Sequence, residues 1–198
     1  MKIGIDLDGV IFDSEKLYRV YTELYDYCEL HRNSIIDNRL VELQDRYNWT
    51  QEEVEDFFKK YEKQVLKEAN IMPGAKEVLK MLKQDGHELI VITARGGMFK
   101  ESVDTAKELL KREGLDIFDN YFWATKKKEE VCKNEKVDIM IDDSDKKCKA
   151  ISEAGIKTIY FKDSPCFEMQ ENENLKTLYN WGEVYRYIKE MQSNDGNN

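Results

Sequence analysis

Two aspartates one residue apart, Asp6 and Asp8, close a short apolar run, Ile3 to Ile5, and are followed by Gly9. Such a run has the character of a buried parallel strand. In an open α/β sheet, ligands sit beyond the carboxyl ends of the strands, so the two carboxylates stand where chemistry is done. Side chains two apart on an extended chain face the same side. Carboxylates held together repel unless a cation or a shared proton intervenes. Gly9 lets the backbone turn away sharply.

Further polar groups fall at or just after three later strands. Thr93 ends the run Leu89 to Ile92, Lys126-Lys127-Lys128 follows Tyr121-Phe122-Trp123, and Asp142-Asp143-Ser144 follows Val137 to Ile141. Each alone has a plainer reading. A threonine ending a strand is ordinarily a turn or cap residue, a lysine triplet ordinarily a solvated surface, and an Asp-Asp-Ser turn ordinarily a helix cap. Four strand ends in order, each carrying one of these groups, make a shared site the better reading.

Strands and helices alternate from Pro73 onward, which predicts an α/β fold with a doubly wound, mainly parallel sheet. Helices are expected after Pro73-Gly74, through Val103 to Leu110, from the lysine triplet, through Ala150 to Ala154, and over Trp181 to Met191; Thr158 to Phe161 is expected as the last core strand. Between the first strand and Pro73 the pattern is helical. Asp13 or Ser14 caps a helix with Leu17, Tyr18, Tyr21, Leu24, Tyr25 and Cys28 at helical spacing, and a second is expected around Ile35 to Leu43. Thr50-Gln51-Glu52-Glu53 reads as a capping box, with Trp49 and Val54 as its hydrophobic staple. That helix is expected to stop near Met72, since Pro73 disfavours helical backbone before it. The division is a core of residues 1–13 and 73–191, a helical insert of 14–72, and a polar, structureless tail of 192–198.

These residues resemble the haloacid dehalogenase-like superfamily. The resemblance is carried by Asp6-Leu7-Asp8-Gly9-Val10, Val91-Ile92-Thr93-Ala94-Arg95, Lys128, Ile141-Asp142-Asp143-Ser144 and the helix start Pro73-Gly74-Ala75-Lys76-Glu77-Val78-Leu79. The insert lies where that superfamily places a C1-type cap. The chain's size and its Tyr179-Asn180-Trp181 and Val184-Tyr185 ending are similar to small bacterial nucleotidases of the 5'(3')-deoxyribonucleotidase kind. The resemblance implies a phosphomonoesterase in which Asp6 is the nucleophile and Asp8 the acid and then the base. Splitting a slow hydrolysis into two displacements suits the chemistry, and a second, protonatable carboxylate suits an ester with a poor leaving group. It implies Mg²⁺ held by the Asp6 side chain, the Asp8 backbone carbonyl and Asp143, with Asp142 as ligand or neighbour; oxygen donors alone suit that ion. Thr93, with Ala94 and Arg95, is expected to bind the phosphoryl group, Arg95 alternatively capping a helix. Lys128 is expected to balance its charge, with Lys126 and Lys127 as competitors for that place.

Composition narrows the partners. A net charge of −9 over 198 residues argues against a nucleic-acid polymer, whose binding requires basic patches. No apolar run approaches the ~20 residues of a membrane span. With a strand expected at the very start, no signal peptide is expected. Cys28, Cys132, Cys148 and Cys166 lack metal-site spacing and are expected as buried thiols of a cytoplasmic protein. The expected partner is a small phosphorylated metabolite, a nucleoside monophosphate favoured. The insert's aromatics are expected to form its own core, one or two being free to stack on a base. A phosphatase of a sugar or another small phosphorylated metabolite, or a non-catalytic receiver-like phosphate-sensing module that also gathers Asp, Thr and Lys, are the alternatives.

Overall fold

The computed structural model describes residues 1–98, 100–163 and 168–195. Its frame is a six-stranded, all-parallel sheet: β1 (Lys2–Ile5), β2 (Glu88–Ile92), β3 (Asn120–Phe122), β4 (Ile139–Asp142), β5 (Lys157–Phe161) and β6 (Leu175–Leu178). The order is β3-β2-β1-β4-β5-β6. The chain runs outward from β1 through β2 to β3, then crosses to β4 on β1's other side. That reversal opens a crevice at the carboxyl ends, the ordinary place for a ligand in such sheets. Ile5 pairs with Val91 on one side and Ile141 on the other, so three strands deliver their following residues to one level.

Helices cover both faces. On one, Ile3, Ile5, Val91 and Ile141 pack against Leu79 of α4 (Ala75–Gln84), Leu109 of α5 (Glu101–Arg112) and Trp181 of the last helix, Trp181–Asp195. On the other, Ile90, Ile92 and Met140 meet Cys132 of α6 (Lys128–Glu135) and Ile151 of α7 (Asp145–Glu153). A Cβ at Gly4 would come within 2.8 Å of the Met140 sulfur, so β1 accepts only glycine there without displacing its neighbour.

Between β1 and α4 lie α1 (Ser14–Leu24), a π-helical turn Tyr25–Glu29, α2 (Leu43–Arg46) and α3 (Gln51–Glu68). They share a separate apolar cluster of Tyr25, Leu43, Tyr47, Trp49, Val54 and Phe57. The Trp49 indole donates to Asp26 at 2.7 Å, and the capping box at Thr50 and Glu53 is formed.

Several local expectations are corrected. No helix spans Ile35 to Leu43; Asp37 accepts from the Arg39 amide and guanidinium, a local turn that competes with helix, and only Leu43–Arg46 is helical. α3 ends at Glu68, short of Met72, because residues beyond it return along the exit from β1: Asp13 N–H donates to Asn70 and Met72 N–H to Ile11. Leu24 and Cys28 are exposed, whereas Cys132 and Cys148 are buried; Cys166 lies outside the described residues. β5 is not the last strand, since β6 pairs beyond it. The last helix continues through Asp195, so the tail expected to be structureless from 192 is helical that far; 196–198 lie outside the described residues. No described helix is long and apolar enough to cross a membrane.

Candidate active site

Asp6 directly follows β1, its N–H held by the Ile141 carbonyl at 3.0 Å. Asp142 ends β4 and is fully buried; Asp143 follows it. Carboxylate oxygens of Asp6, Asp142 and Asp143 lie within 4.8 Å of one another. Into this cluster reaches Lys128, buried, its Nζ 2.7 Å from Asp6 and 2.6 Å from Asp142. Lys128 opens α6, where the helix dipole disfavours a cation; the two carboxylates offset that. Among the competing lysines, Lys126 sits exposed at the cleft edge and Lys127 pairs with Glu130 on the surface. Lys128 alone of the three meets the carboxylates.

Three carboxylates against one ammonium leave the cluster strongly anionic. Burial pushes Asp6 up to about 6, Lys128 pulling it down while Asp142 and Asp8 push it further up. Burial raises Asp143 well above its ordinary range, helped by Asp142 and Asp6. Burial works against the Lys128 charge, but Asp142 and Asp6 together outweigh it and the net shift is upward. A divalent cation would relieve the surplus, and an all-oxygen donor set fits Mg²⁺ rather than a softer metal. Asp142 has other duties: one oxygen accepts from Lys128, the other from the Ser144 N–H at 3.0 Å.

Gly9 makes this packing possible. Its φ is +68°, and a Cβ there would overlap the Asp143 carboxylate. The turn therefore has to be glycine both for its backbone and for its neighbour.

Thr93 follows β2 and is buried, its Oγ1 accepting from the Arg95 N–H at 3.2 Å. Ala94 lines the cleft beside it. Arg95 caps no helix, since α5 begins at Glu101; its guanidinium turns to Asp8, with Nε 3.0 Å from Oδ2 and Nη2 on Oδ1. The cap expected of Asp13 or Ser14 is not formed, since neither side chain bonds the helix end; Ser14 is the first residue of α1 and its Oγ instead donates to Asp8 Oδ1 at 2.5 Å.

Above these groups opens a cleft of about 670 Å³, within the usual range for a small-molecule site. Its floor is Asp6, Thr93, Lys128 and Asp143; its roof comes from the insert, with Tyr18, Leu43, Phe58 and Glu62. Tyr25, Tyr47, Trp49 and Phe57 are spent on the insert's own core, while Tyr18 and Phe58 face the cleft. Glu62, which sequence reasoning missed, is pushed up to about 7 by burial against the pull of Arg95. Neither it nor Ser14's contact with Asp8 carries a local sequence signal, since both depend on the insert folding back over the sheet.

The sheet order, the two-sided helical cover and the cluster at the crevice, with the family match over residues 1–193, place the chain among phosphatases of the haloacid dehalogenase-like superfamily. A haloacid dehalogenase-like hydrolase from Streptococcus pneumoniae superposes with a TM-score of 0.68, 18% identity and 94% and 97% of the two chains covered. A predicted phosphatase from Clostridium acetobutylicum superposes at 0.70, 17% identity, with 96% and 98% covered. Residues 1–193 match the family described as "5' nucleotidase, deoxy (Pyrimidine), cytosolic type C protein". The chain belongs to this family and is a phosphoric monoester hydrolase. The "Putative nucleotidase YqfW" of Bacillus subtilis is 29% identical over 189 residues, covering 95% of this chain and 93% of the relative. A Clostridium acetobutylicum nucleotidase is 23% identical over 198 residues.

Proposed function

We propose that the enzyme is an Mg²⁺-dependent 5'-nucleotidase acting on nucleoside or deoxynucleoside monophosphates through an aspartyl-phosphate at Asp6. The observation that carries this is the meeting of Asp6, Asp142, Asp143 and Lys128 at the sheet's crevice. Asp6 would hold Mg²⁺ with the Asp8 carbonyl and Asp143, Asp142 standing beside them; the ion, when bound, neutralises carboxylate and phosphoryl charge.

The chain's own groups do the rest. The Asp6 carboxylate attacks phosphorus, and the ester oxygen leaves with a proton from Asp8. Asp8, now ionised, takes a proton from the water that cleaves the acyl phosphate. Thr93 and the Ala94–Arg95 segment bind phosphoryl oxygens, and Lys128 stabilises the charge gathering between nucleophile and phosphate. Residues 14–72 act as a cap that keeps bulk water from the phosphoryl group, with Tyr18 and Phe58 offering faces to a base. The names of the B. subtilis and C. acetobutylicum relatives support nucleotide over sugar phosphate.

A panel of nucleoside 5'- and 3'-monophosphates and sugar phosphates, scored for phosphate release with Mg²⁺ and with EDTA, tests this. Nucleotides are expected to lead the panel, EDTA to abolish release, and Asp6→Asn to be inactive with a native circular dichroism spectrum. Preferential turnover of sugar phosphates would overturn the substrate assignment, and wild-type activity in Asp6→Asn the nucleophile.

A further inference from the structure

We propose that Arg95 and Ser14 are positioning residues for the leaving-group acid: together they hold Asp8 so that the O–H of one defined carboxyl oxygen faces the departing oxygen. The inference rests on Asp8 being that acid, as proposed above, and assigns new work to two side chains.

The geometry is specific. Arg95 comes from the segment after β2 and Ser14 from the first residue of α1, so core and insert each supply one jaw. Asp8 Oδ1 accepts from both Ser14 Oγ and Arg95 Nη2, which occupies the two lone pairs a carboxylate oxygen offers. Oδ2 accepts from Arg95 Nε alone. Among the described residues, the oxygen with room for a transferable proton is therefore Oδ2. The Asp8 side chain keeps 31% exposure on the cleft side, while that of Arg95 keeps 1%. The arginine is enclosed and the acid is presented.

The clamp is also costly in a way packing alone does not explain. Arg95 Nη1 is buried and has no hydrogen-bond partner among the described residues. The guanidinium lies over the Phe12 ring, 5.7 Å from its centroid. An enclosed arginine with an orphan donor costs stability. With two of its nitrogens committed as a fork on Asp8, it is poorly placed to hold the phosphoryl group as a bidentate clamp.

The step served is balanced. The bond from Asp6 oxygen to phosphorus forms as the bond from phosphorus to the ester oxygen breaks. The proton on Asp8 Oδ2 passes to that oxygen, giving the alcohol and leaving Asp8 ionised. An alkyl or nucleoside oxygen needs that proton, and a dinitrophenolate leaves without it. Loss of the acid's aim therefore shows as a change in leaving-group preference, which neither misfolding nor weaker phosphate binding produces.

The experiment compares kcat/KM for an alkyl phosphate and for 2,4-dinitrophenyl phosphate, with Mg²⁺ present, in the full-length enzyme. Asp8→Asn is expected to lower the alkyl-to-dinitrophenyl ratio by about 10²-fold, the lower end for a general acid. Arg95→Met is expected to lower it by about tenfold, since the acid remains but is misplaced. Arg95→Lys, which keeps the charge and loses the fork, recovers only part of it. Ser14→Ala moves the ratio in the same direction and supplies the answer if Arg95 variants do not fold. The double variant Arg95→Met with Asp8→Asn is expected to match Asp8→Asn, because a positioning residue has nothing left to position. If Asp8→Asn shifts the ratio but the Arg95 and Ser14 variants weaken both esters equally, the clamp is refuted and the acid assignment stands. If Asp8→Asn leaves the ratio unchanged, the acid assignment falls and the clamp with it.

Discussion

Asp6 concentrates the physical tension of the site. Burial raises it from 3.8 to about 6, so between those values the native state binds a proton that the unfolded chain has released. By linkage the metal-free protein loses stability as pH rises through that window. Mg²⁺ held there as proposed would compete with the same proton, so its affinity is expected to be at least about tenfold weaker at pH 5 than at pH 7, a difference that titration calorimetry measures. Equal affinity at the two values would contradict the assignment of Asp6 as a ligand. Gly9 makes a second residue-scale prediction. Gly9→Ala combines a strained φ of +68° with overlap on Asp143; a loss of about 1–3 kcal/mol and of Mg²⁺ binding is expected in denaturant melts and calorimetry. At this scale the sequence was informative, because Asp6, Asp8, Thr93, Asp142 and Asp143 fall at strand ends that apolar runs announce. Arg95 was legible as a residue of the cleft but not as Asp8's partner, since sequence gives a side chain's address without its direction.

The elements that were missed share a cause. β6, Leu175–Leu178, is an edge strand of four residues with its middle pair only half-buried, so it lacks both the apolar run and the alternation that mark a strand. The turn at Asp37 and Arg39 replaces an expected helix through side-chain bonds to nearby backbone, which periodicity does not register. α3 was legible because its capping box is local. Thr50 accepts from the Glu53 N–H and Glu53 from the Thr50 N–H, and Thr50→Ala is expected to cost about 1 kcal/mol. Thermal melts would show that loss, and Mg²⁺ affinity is expected to stay unchanged, because the cap box lies in the insert while the carboxylates hang from the sheet. A Thr50→Ala variant with impaired metal binding would show that the insert supports the cluster as well as covering it.

For the molecule as a whole, the sheet does the gathering. β1 lies centrally, with β2 and β4 in register on either side, so residues 6, 93, 128 and 142–143, distant in the chain, converge without any long loop. The insert then lays an aromatic and acidic roof over them. This order of construction made the class of enzyme readable from strand ends, while the substrate depends on a roof whose facing residues emerge only in three dimensions. Turnover is proposed to carry a phosphoryl group on Asp6. The most direct measurement is rapid acid quench of the enzyme with Mg²⁺ and a nucleoside monophosphate, followed by peptide mass spectrometry. A phosphoryl group on the peptide containing Asp6, absent after hydroxylamine treatment and in Asp6→Asn, is the predicted result; phosphate release in that variant at the wild-type rate, or a label on another residue, would contradict it.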